Sequence, residues 1–167
     1  MKDLGTMHYF LGLEVWKFPY EIFIYQKKYT VEILKRFGML DCKEMNSPMV
    51  TNLKLLNGDS LERVDVTLYR QIIGSLMYLK NIRLDIIFVV NTLSQYIMEP
   101  RHVHLVATKH VMRYLKGTLD YGLTYVTDHE FRLCGYTNSD WEGSVEDRKK
   151  KFRMLFQFDI RCDRIAW

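Results

Sequence analysis

Two side chains with oxygen donors lie two residues apart in the stretch "GYTNSDWEG", residues 135–143. Asn138 offers an amide oxygen and Asp140 a carboxylate, and both kinds of oxygen can bind a hard cation such as Mg²⁺. On an extended strand the two residues share a face but stand about 6 to 7 Å apart. That spacing is too wide for one ion without rebuilding the site, and the amide carries no charge. The pair therefore predicts no intact metal centre.

Other metal-binding residue types are present without a matching pattern. His102, His104 and His110 are close in the sequence, but His102 and His104 point to different sides of a helix. No acidic or cysteine partner completes a tetrahedral set around them. The three cysteines are widely separated and show no C-x-x-C spacing, which argues against a disulfide framework and a zinc knuckle. We predict no metal site among these residues.

Positive charge is concentrated in the stretch "YQKKYTVEILKRFGML", residues 25–40. Its apolar residues recur at helical spacing, and Gly38 is a suitable left-handed cap for the end of the helix. The exposed face then carries four basic side chains. They are Lys27, Lys28, Lys35 and Arg36.

The surrounding elements indicate an α+β fold. A hairpin over residues 8–26 precedes the basic helix, and the polar stretch from Asp41 to Val66 reads as a meandering linker. Three helices over residues 68–82, 85–98 and 102–116 should pack as a small antiparallel bundle, with Asp85 as the cap of the second helix. Two strands follow, "YGLTYV" and "FRLCGYT", joined by a polar turn at residues 127–130.

Composition limits the class of protein. The 167 residues are 48% hydrophobic, which is enough for one ordinary core. The longest apolar runs, such as "IIFVV" at 86–90, are far below the roughly 20 residues that cross a bilayer, so no membrane partner is expected. No signal or transit peptide is visible, so we expect the cytoplasm or the nucleus. A net charge of +4 tolerates a polyanionic partner, and nothing specifies an oligomeric state.

Five separated motifs occur in an order that resembles one known family. They are "MKDLGTMHYFLGLEV", "YQKKYTVEILKRFGM", "YRQIIGSLMYLKNIRLDI", "HLVATKHVMRYLKGT" and "GYTNSDW". Together they resemble the carboxy-terminal part of the Pol polyprotein of copia-type LTR retrotransposons, where reverse transcriptase runs into RNase H. The resemblance covers positions 1 to about 150 and implies three segments. Residues 1–60 resemble the end of the palm with the thumb helix and linker, residues 61–127 a helical thumb or connection segment, and residues 128–167 a truncated start of RNase H.

The resemblance also implies a contact surface for an RNA–DNA hybrid, bound weakly through its phosphates. The hairpin matches the family's primer grip, and the basic helix matches the thumb. From the residues alone, a simple buried hairpin and a solvated helix face are the favoured interpretations. The matching residues are Tyr9, Phe10, Leu11, Gly12, Lys27, Lys28, Lys35 and Arg36.

Catalysis is not expected, because the family's metal ligands are missing. The family holds its polymerase metals through a Y-x-D-D turn upstream of "MKDLG", and Asn138 takes the place of the first aspartate in its RNase H pattern "Y-T-D-A-D-W-A-G". Mg²⁺ is therefore implied for the intact family but for no site in this chain. We expect a decayed fragment with no activity of its own. The alternatives are a weak, non-specific nucleic-acid binder and a protein-interaction module built on residues 68–116.

The tail after Lys150 departs from the family pattern. Reading the bases of residues 152–158 one nucleotide later can restore a family-like strand, so our hypothesis is a frameshift near residues 149–151. If sequencing the gene shows that no single-base shift restores such a strand, the hypothesis fails.

Replacing Asn138 with aspartate should leave the chain without ribonuclease H activity, because the further acidic ligands of the family have no match in these residues. The measurement is release of labelled RNA from an RNA–DNA hybrid in the presence of Mg²⁺, with the unsubstituted chain as the control. Measurable cleavage by Asn138→Asp would contradict the assignment of this stretch as a lost site.

Overall fold

A computed structural model describes residues 8–50, Leu55 and residues 64–126, together with the backbone of residues 133–138 and 153–158. The fold is mixed α and β, as predicted. In chain order its elements are β1 (Tyr9–Phe10), β2 (Leu13–Lys17), β3 (Glu21–Tyr25), α1 (Lys27–Arg36), α2 (Val66–Leu79), a 3-10 turn (Leu84–Ile86), α3 (Ile87–Ser94), α4 (His102–Gly117), β4 (Gly122–Val126), β5 (Leu133–Asn138) and β6 (Arg153–Phe158). Within the described ranges, no helix combines the length and the apolar character that crossing a membrane requires.

The first four strands form an antiparallel sheet in the order β1-β2-β3-β4. The predicted hairpin is confirmed, because β2 pairs with β3 with Trp16 opposite Phe23. The strands "YGLTYV" and "FRLCGYT" also form, but they do not pair with each other. β4 pairs with β3, and β5 pairs with β6. The polar turn predicted between them, residues 127–130, lies outside the described residues.

Gly122 explains why β4 can lie against β3. A Cβ atom at this position would stand 2.4 Å from the carbonyl oxygen of Ile24 and 2.9 Å from the ring of Phe23. Both distances are far below van der Waals contact, so only glycine allows the two strands to approach this closely. This partner lies about a hundred residues away in the chain, and a local strand pattern does not reveal it.

The helices occur where periodicity predicts them, with shifted ends. α2 begins at Val66 because the carboxylate of Asp65 accepts hydrogen bonds from the backbone N–H groups of Thr67 (2.8 Å) and Leu68 (3.3 Å). The predicted helix over 85–98 is a 3-10 turn followed by the shorter α3. The prediction that Asp85 caps this helix is wrong. Its carboxylate instead accepts from the side chains of Arg83 and Tyr114.

All four α-helices contribute to one hydrophobic core, which confirms that the helical segments pack together. Ile33 and Leu34 of α1 are buried against residues of α2, α3 and α4, so the core spans the first two predicted segments. The largest fully buried side chains of the core are Tyr69, Ile33, Leu34, Ile72, Ile73, Leu76, Leu79, Ile86, Leu93, Met112 and Leu115.

Arg83 forms a buried junction at the corner between α2 and α3. Its guanidinium donates to both carboxylate oxygens of Asp85, at 3.0 and 2.7 Å, and to the backbone and side-chain oxygens of Thr118, at 2.8 and 2.6 Å. The hydroxyl of Tyr114 donates to Asp85 at 2.7 Å. The ring of Tyr121 lies 5.3 Å from the guanidinium carbon. The corner is thereby fixed to the end of α4.

The first part of the predicted linker is attached to α4. Arg113 donates to the carbonyl oxygen of Lys43 at 2.7 Å, and Lys116 donates to that of Cys42, also at 2.7 Å. His110 Nε2 lies 3.0 Å from the carbonyl oxygen of Ser47. Basic side chains on the outer side of α4 therefore satisfy backbone oxygens that a loop would otherwise leave to water.

The Asp85 carboxyl should make the stability of the protein sensitive to acid. Burial alone would raise its pKa, but the hydrogen bonds and charge of Arg83, together with the Tyr114 hydroxyl, outweigh burial and lower the pKa below its ordinary value. A lowered pKa contributes stability that is complete above the unfolded-state value, about 3.9, and is lost as the pH falls through the folded-state value.

Asp85→Asn should therefore cost about 3 kcal/mol at pH 7, because it leaves the buried guanidinium without a counter-charge. Urea unfolding at pH 7 and at pH 3 measures the difference from the unsubstituted chain, which should shrink at pH 3. Asp120→Asn, in a half-exposed ion pair, is the control and should cost far less. An Asp85→Asn difference that is the same at both pH values would contradict the prediction.

Candidate nucleic-acid interface

The hairpin tip is a two-residue turn in a left-handed conformation. Phe10 and Leu13 form the last pair of β1 and β2, and Leu11 (φ 49°) and Gly12 (φ 78°) connect them. Two successive positive φ values match the right-handed twist of the strands that the turn joins. Glycine accepts this conformation readily, whereas leucine adopts it at a cost.

Two tyrosines fix this turn to the helices. The hydroxyl of Tyr78, on α2, donates a short hydrogen bond to the carbonyl oxygen of Leu11. The Tyr29 ring, on α1, packs edge-on against the Tyr78 ring with 4.9 Å between centroids. A Cβ atom on Gly12 would lie 3.6 Å from the Tyr78 ring, in ordinary contact. Side chains of α1 and α2 thus hold the turn in place.

The residues of the tip face solvent. Tyr9 is 52% exposed, Phe10 53% and Leu11 71%. The interpretation of a simple buried hairpin is therefore wrong for these three side chains. Exposed apolar side chains on a turn that Tyr78 holds in place are available for contact with a partner.

Lys28 is the basic residue that lies closest to this tip. Its ammonium stands 5.1 Å from the centre of the Tyr9 ring, a cation–π distance. Its backbone N–H donates to the buried carboxylate of Glu14 at 2.8 Å, which caps the start of α1. The same carboxylate lies 3.9 Å from the Lys28 ammonium. The structure brings together the hairpin tip and Lys28.

Two of the other three predicted basic residues are held in ion pairs. Lys27 forms an ion pair with Asp120 at 2.6 Å, and the hydrogen bond that its ammonium donates to that carboxylate raises the pKa of Lys27. Arg36 pairs with Glu32 at 3.2 Å along the helix. Lys35 is exposed, and it forms no ion pair with any residue that the structure describes. The predicted basic face is therefore partly neutralised.

Sequence reasoning missed an aromatic groove on the sheet. It is a cavity of about 470 Å³, and its lining residues are Trp16, Phe18, Phe23, Tyr25, Lys27 and Asp120. Aromatic residues at every second position, Trp16 and Phe18 and then Phe23 and Tyr25, are the signal that could have found it, because alternate residues of a strand share a face. The sequence pattern alone predicts only a hairpin for these residues.

Comparison with known proteins gives the family. The chain is 37% identical over 168 residues to an uncharacterized mitochondrial protein of Arabidopsis thaliana, an alignment that covers 100% of this chain and 68% of that protein. It is 39% identical over 147 residues to the retrovirus-related Pol polyprotein from transposon RE2 of Arabidopsis thaliana, with 88% of this chain covered. The chain belongs to the copia-type retrotransposon Pol family.

The match to the long Pol polyproteins is local. The chain spans 10% of the RE2 polyprotein. It spans 12% of the retrovirus-related Pol polyprotein from transposon TNT 1-94 of Nicotiana tabacum, to which it is 31% identical over 167 residues, or 95% of this chain. No protein-family model and no solved structure matches it. The matches to these Pol polyproteins confirm the copia-type family that the order of motifs predicts.

The described ranges contain no set of side chains that could bind the Mg²⁺ expected for intact copia-type Pol proteins. No group of three or more histidine, cysteine, aspartate or glutamate residues there could bind an ion. His104 accepts from the backbone N–H of Arg101 at Nδ1 (3.0 Å), and its Nε2 lies 3.2 Å from the carbonyl oxygen of Leu55. The side chain of Asn138 and all of Asp140 lie outside the description.

The turn conformation predicts opposite effects of one substitution at two glycines. Gly12→Ala places a side chain on a residue with φ of 78° and should lower the free energy of unfolding by about 1 kcal/mol. Gly74→Ala, inside α2 where nothing lies within 4 Å of the added methyl group, should raise it by about 0.5 to 1 kcal/mol. Urea unfolding of both variants measures the two signs. Equal signs would contradict the left-handed turn.

Proposed function

We propose that this chain is a reverse transcriptase segment of a copia-type Pol protein and that it contacts nucleic-acid strands without doing chemistry on them. The observation that carries the proposal is the hairpin tip, whose exposed side chains stand out from a turn that Tyr78 fixes to α2. The tip would serve as a primer grip, and Lys28 beside it would meet a phosphate.

Physical chemistry supports a contact role for this tip. Gly12 has no side chain, so the backbone of the turn can approach the sugar-phosphate backbone of a strand closely. Tyr9, under the Lys28 ammonium, offers a flat ring beside a positive charge. Contacts of this kind position a strand without reading its sequence. We therefore propose weak, non-specific binding of an RNA–DNA hybrid.

Absence of catalysis is part of the same proposal. No two aspartates are adjacent in the 167 residues, and the residue that matches the first RNase H ligand is Asn138. Phosphoryl transfer by two metal ions needs carboxylates that hold both ions a few ångströms apart. RNA-directed DNA synthesis and removal of the RNA strand would thus belong to the longer Pol protein, which would supply the Mg²⁺ sites.

We further propose the segment names that the resemblance implies. Residues 1–60 would be the palm end, the thumb helix and its linker, residues 61–127 the thumb or connection segment, and residues 128–167 the start of RNase H. The pairing of β3 with β4 and the shared core mean that the first two segments would act as one unit. Such a unit would work in the cytoplasm or the nucleus, where its nucleic-acid partner is found.

Binding of a labelled RNA–DNA hybrid tests the proposal. Retention on a filter should be strongest at about 20 mM salt and fall as salt rises, because binding releases counterions from the phosphates. Lys28→Gln should weaken binding and reduce the slope of log affinity against log salt by about one. Lys109→Gln, an exposed lysine on α4, is the matched control and should change neither.

Two outcomes would count against this function. One is the absence of any retention even at about 20 mM salt, where phosphate contacts are strongest. The other is an equal loss of affinity in Lys28→Gln and Lys109→Gln, which would show a general effect of charge and no contact at the hairpin tip.

A further inference from the structure

One face of the sheet carries a row of aromatic side chains. The register sets Tyr9 opposite Glu14, Glu14 opposite Tyr25, and Trp16 opposite Phe23. Directly opposed residues of antiparallel strands point to the same face. The aromatic groove therefore continues the same face of the sheet that Tyr9 occupies beside the hairpin tip.

Two stacked rings form the floor of the aromatic groove. The rings of Phe23 and Tyr25 stack with 5.2 Å between centroids and 17° between planes. The Phe23 ring lies over Gly122, where a Cβ atom would come within 2.9 Å of it. Glycine on β4 is thus what allows this ring to lie down on the sheet. Because Phe23 is buried, the ring surface that a planar partner could stack on comes mainly from the exposed Trp16 and Phe18.

The walls of the groove are aromatic on one side and charged at one end. The Trp16 indole N–H donates to the Tyr25 hydroxyl at 3.0 Å, which fixes both rings. Phe18 lies 6.4 Å from Trp16 between ring centroids, and Trp16 is 57% exposed. Lys27 and Asp120 close the end. A volume of about 470 Å³ lies in the range of ordinary small-ligand sites and accepts a planar heterocycle.

We propose that the aromatic groove stacks an unpaired base of a single-stranded nucleic acid, RNA or DNA; this inference rests on the function proposed above. Charge favours this occupant at Lys28, whose exposed ammonium stands over the Tyr9 ring on the same face of the sheet, whereas Asp120 neutralises Lys27 within the groove. A phosphate beside a stacked base would meet the positive charge of Lys28. Stacking on aromatic rings accepts every base, so the groove would bind without sequence preference.

Comparing a strand that has bases with an abasic strand distinguishes binding by base stacking from binding by phosphate contact. The full chain is titrated with a fluorescent oligothymidylate and with an abasic oligonucleotide of the same length, and the affinities are compared. The unsubstituted chain should prefer the base-containing strand by about ten-fold, the size expected for one stacked base. Trp16→Ala and Phe18→Ala should each reduce this preference several-fold and leave affinity for the abasic strand unchanged.

Phe88→Ala is the matched control, since Phe88 is an exposed aromatic residue on α3, away from the groove. It should retain the full preference. Thermal unfolding of each variant verifies the fold, and agreement between the Trp16 and Phe18 variants excludes an effect of losing the indole hydrogen bond alone.

The outcomes distinguish this inference from the proposed function. Equal, salt-dependent binding of both strands by the unsubstituted chain would overturn the groove and leave the strand-contact function standing. Binding of neither strand would overturn both. Loss of a concentration-dependent dimer in Trp16→Ala, by sedimentation and without any change in base preference, would make the groove an interface between copies of the chain and would also overturn the inference.

Discussion

Arg83 carries a full positive charge that is only 3% exposed, and Asp85 and Thr118 take up its hydrogen bonds. A buried charge is tolerable only with such partners, so the sequence can fold only if the corner after α2 meets the end of α4. That meeting fixes where β4 starts. β4 completes the sheet against β3, and β3 leads through the hairpin to the exposed tip. The surface for a partner therefore depends on an ion pair in the interior.

Local sequence patterns predict the helices and strands, whereas the contacts of individual side chains depend on residues far away in the chain. Periodicity identified the hairpin and the helices, because apolar spacing is a property of neighbouring residues. The role of Asp85 was missed, since a cap is a local interpretation and Tyr114 is twenty-nine residues away. Lys27 is predicted to lie on an exposed basic face, yet its ion-pair partner Asp120 lies in the turn between α4 and β4. The rings of the aromatic groove lie on the local hairpin of β2 and β3, whereas Asp120, which also lines the groove, is distant in the chain and no local pattern places it there.

Family membership and geometry point to a surface for contact. Copia-type relatives include polyproteins of which this chain matches about a tenth. In the described part of the chain, acidic side chains serve structure: Glu14 caps α1, Asp65 caps α2 and Asp85 neutralises Arg83. The exposed aromatic residues and Lys28 at the start of α1 form the surface that we propose contacts a strand.

Hydrogen exchange with and without a single-stranded oligonucleotide tests most directly whether a rigid interior presents this surface. The account predicts strong protection in α2, α4 and the paired β3 and β4 in the free protein, because one buried core and one junction connect them. Addition of the oligonucleotide should slow exchange in residues 9–18 and 23–28 and leave the core unchanged. Rapid exchange of β3 and β4 beside a protected α2 and α4, or slowing by the oligonucleotide only outside those two ranges, would contradict the account.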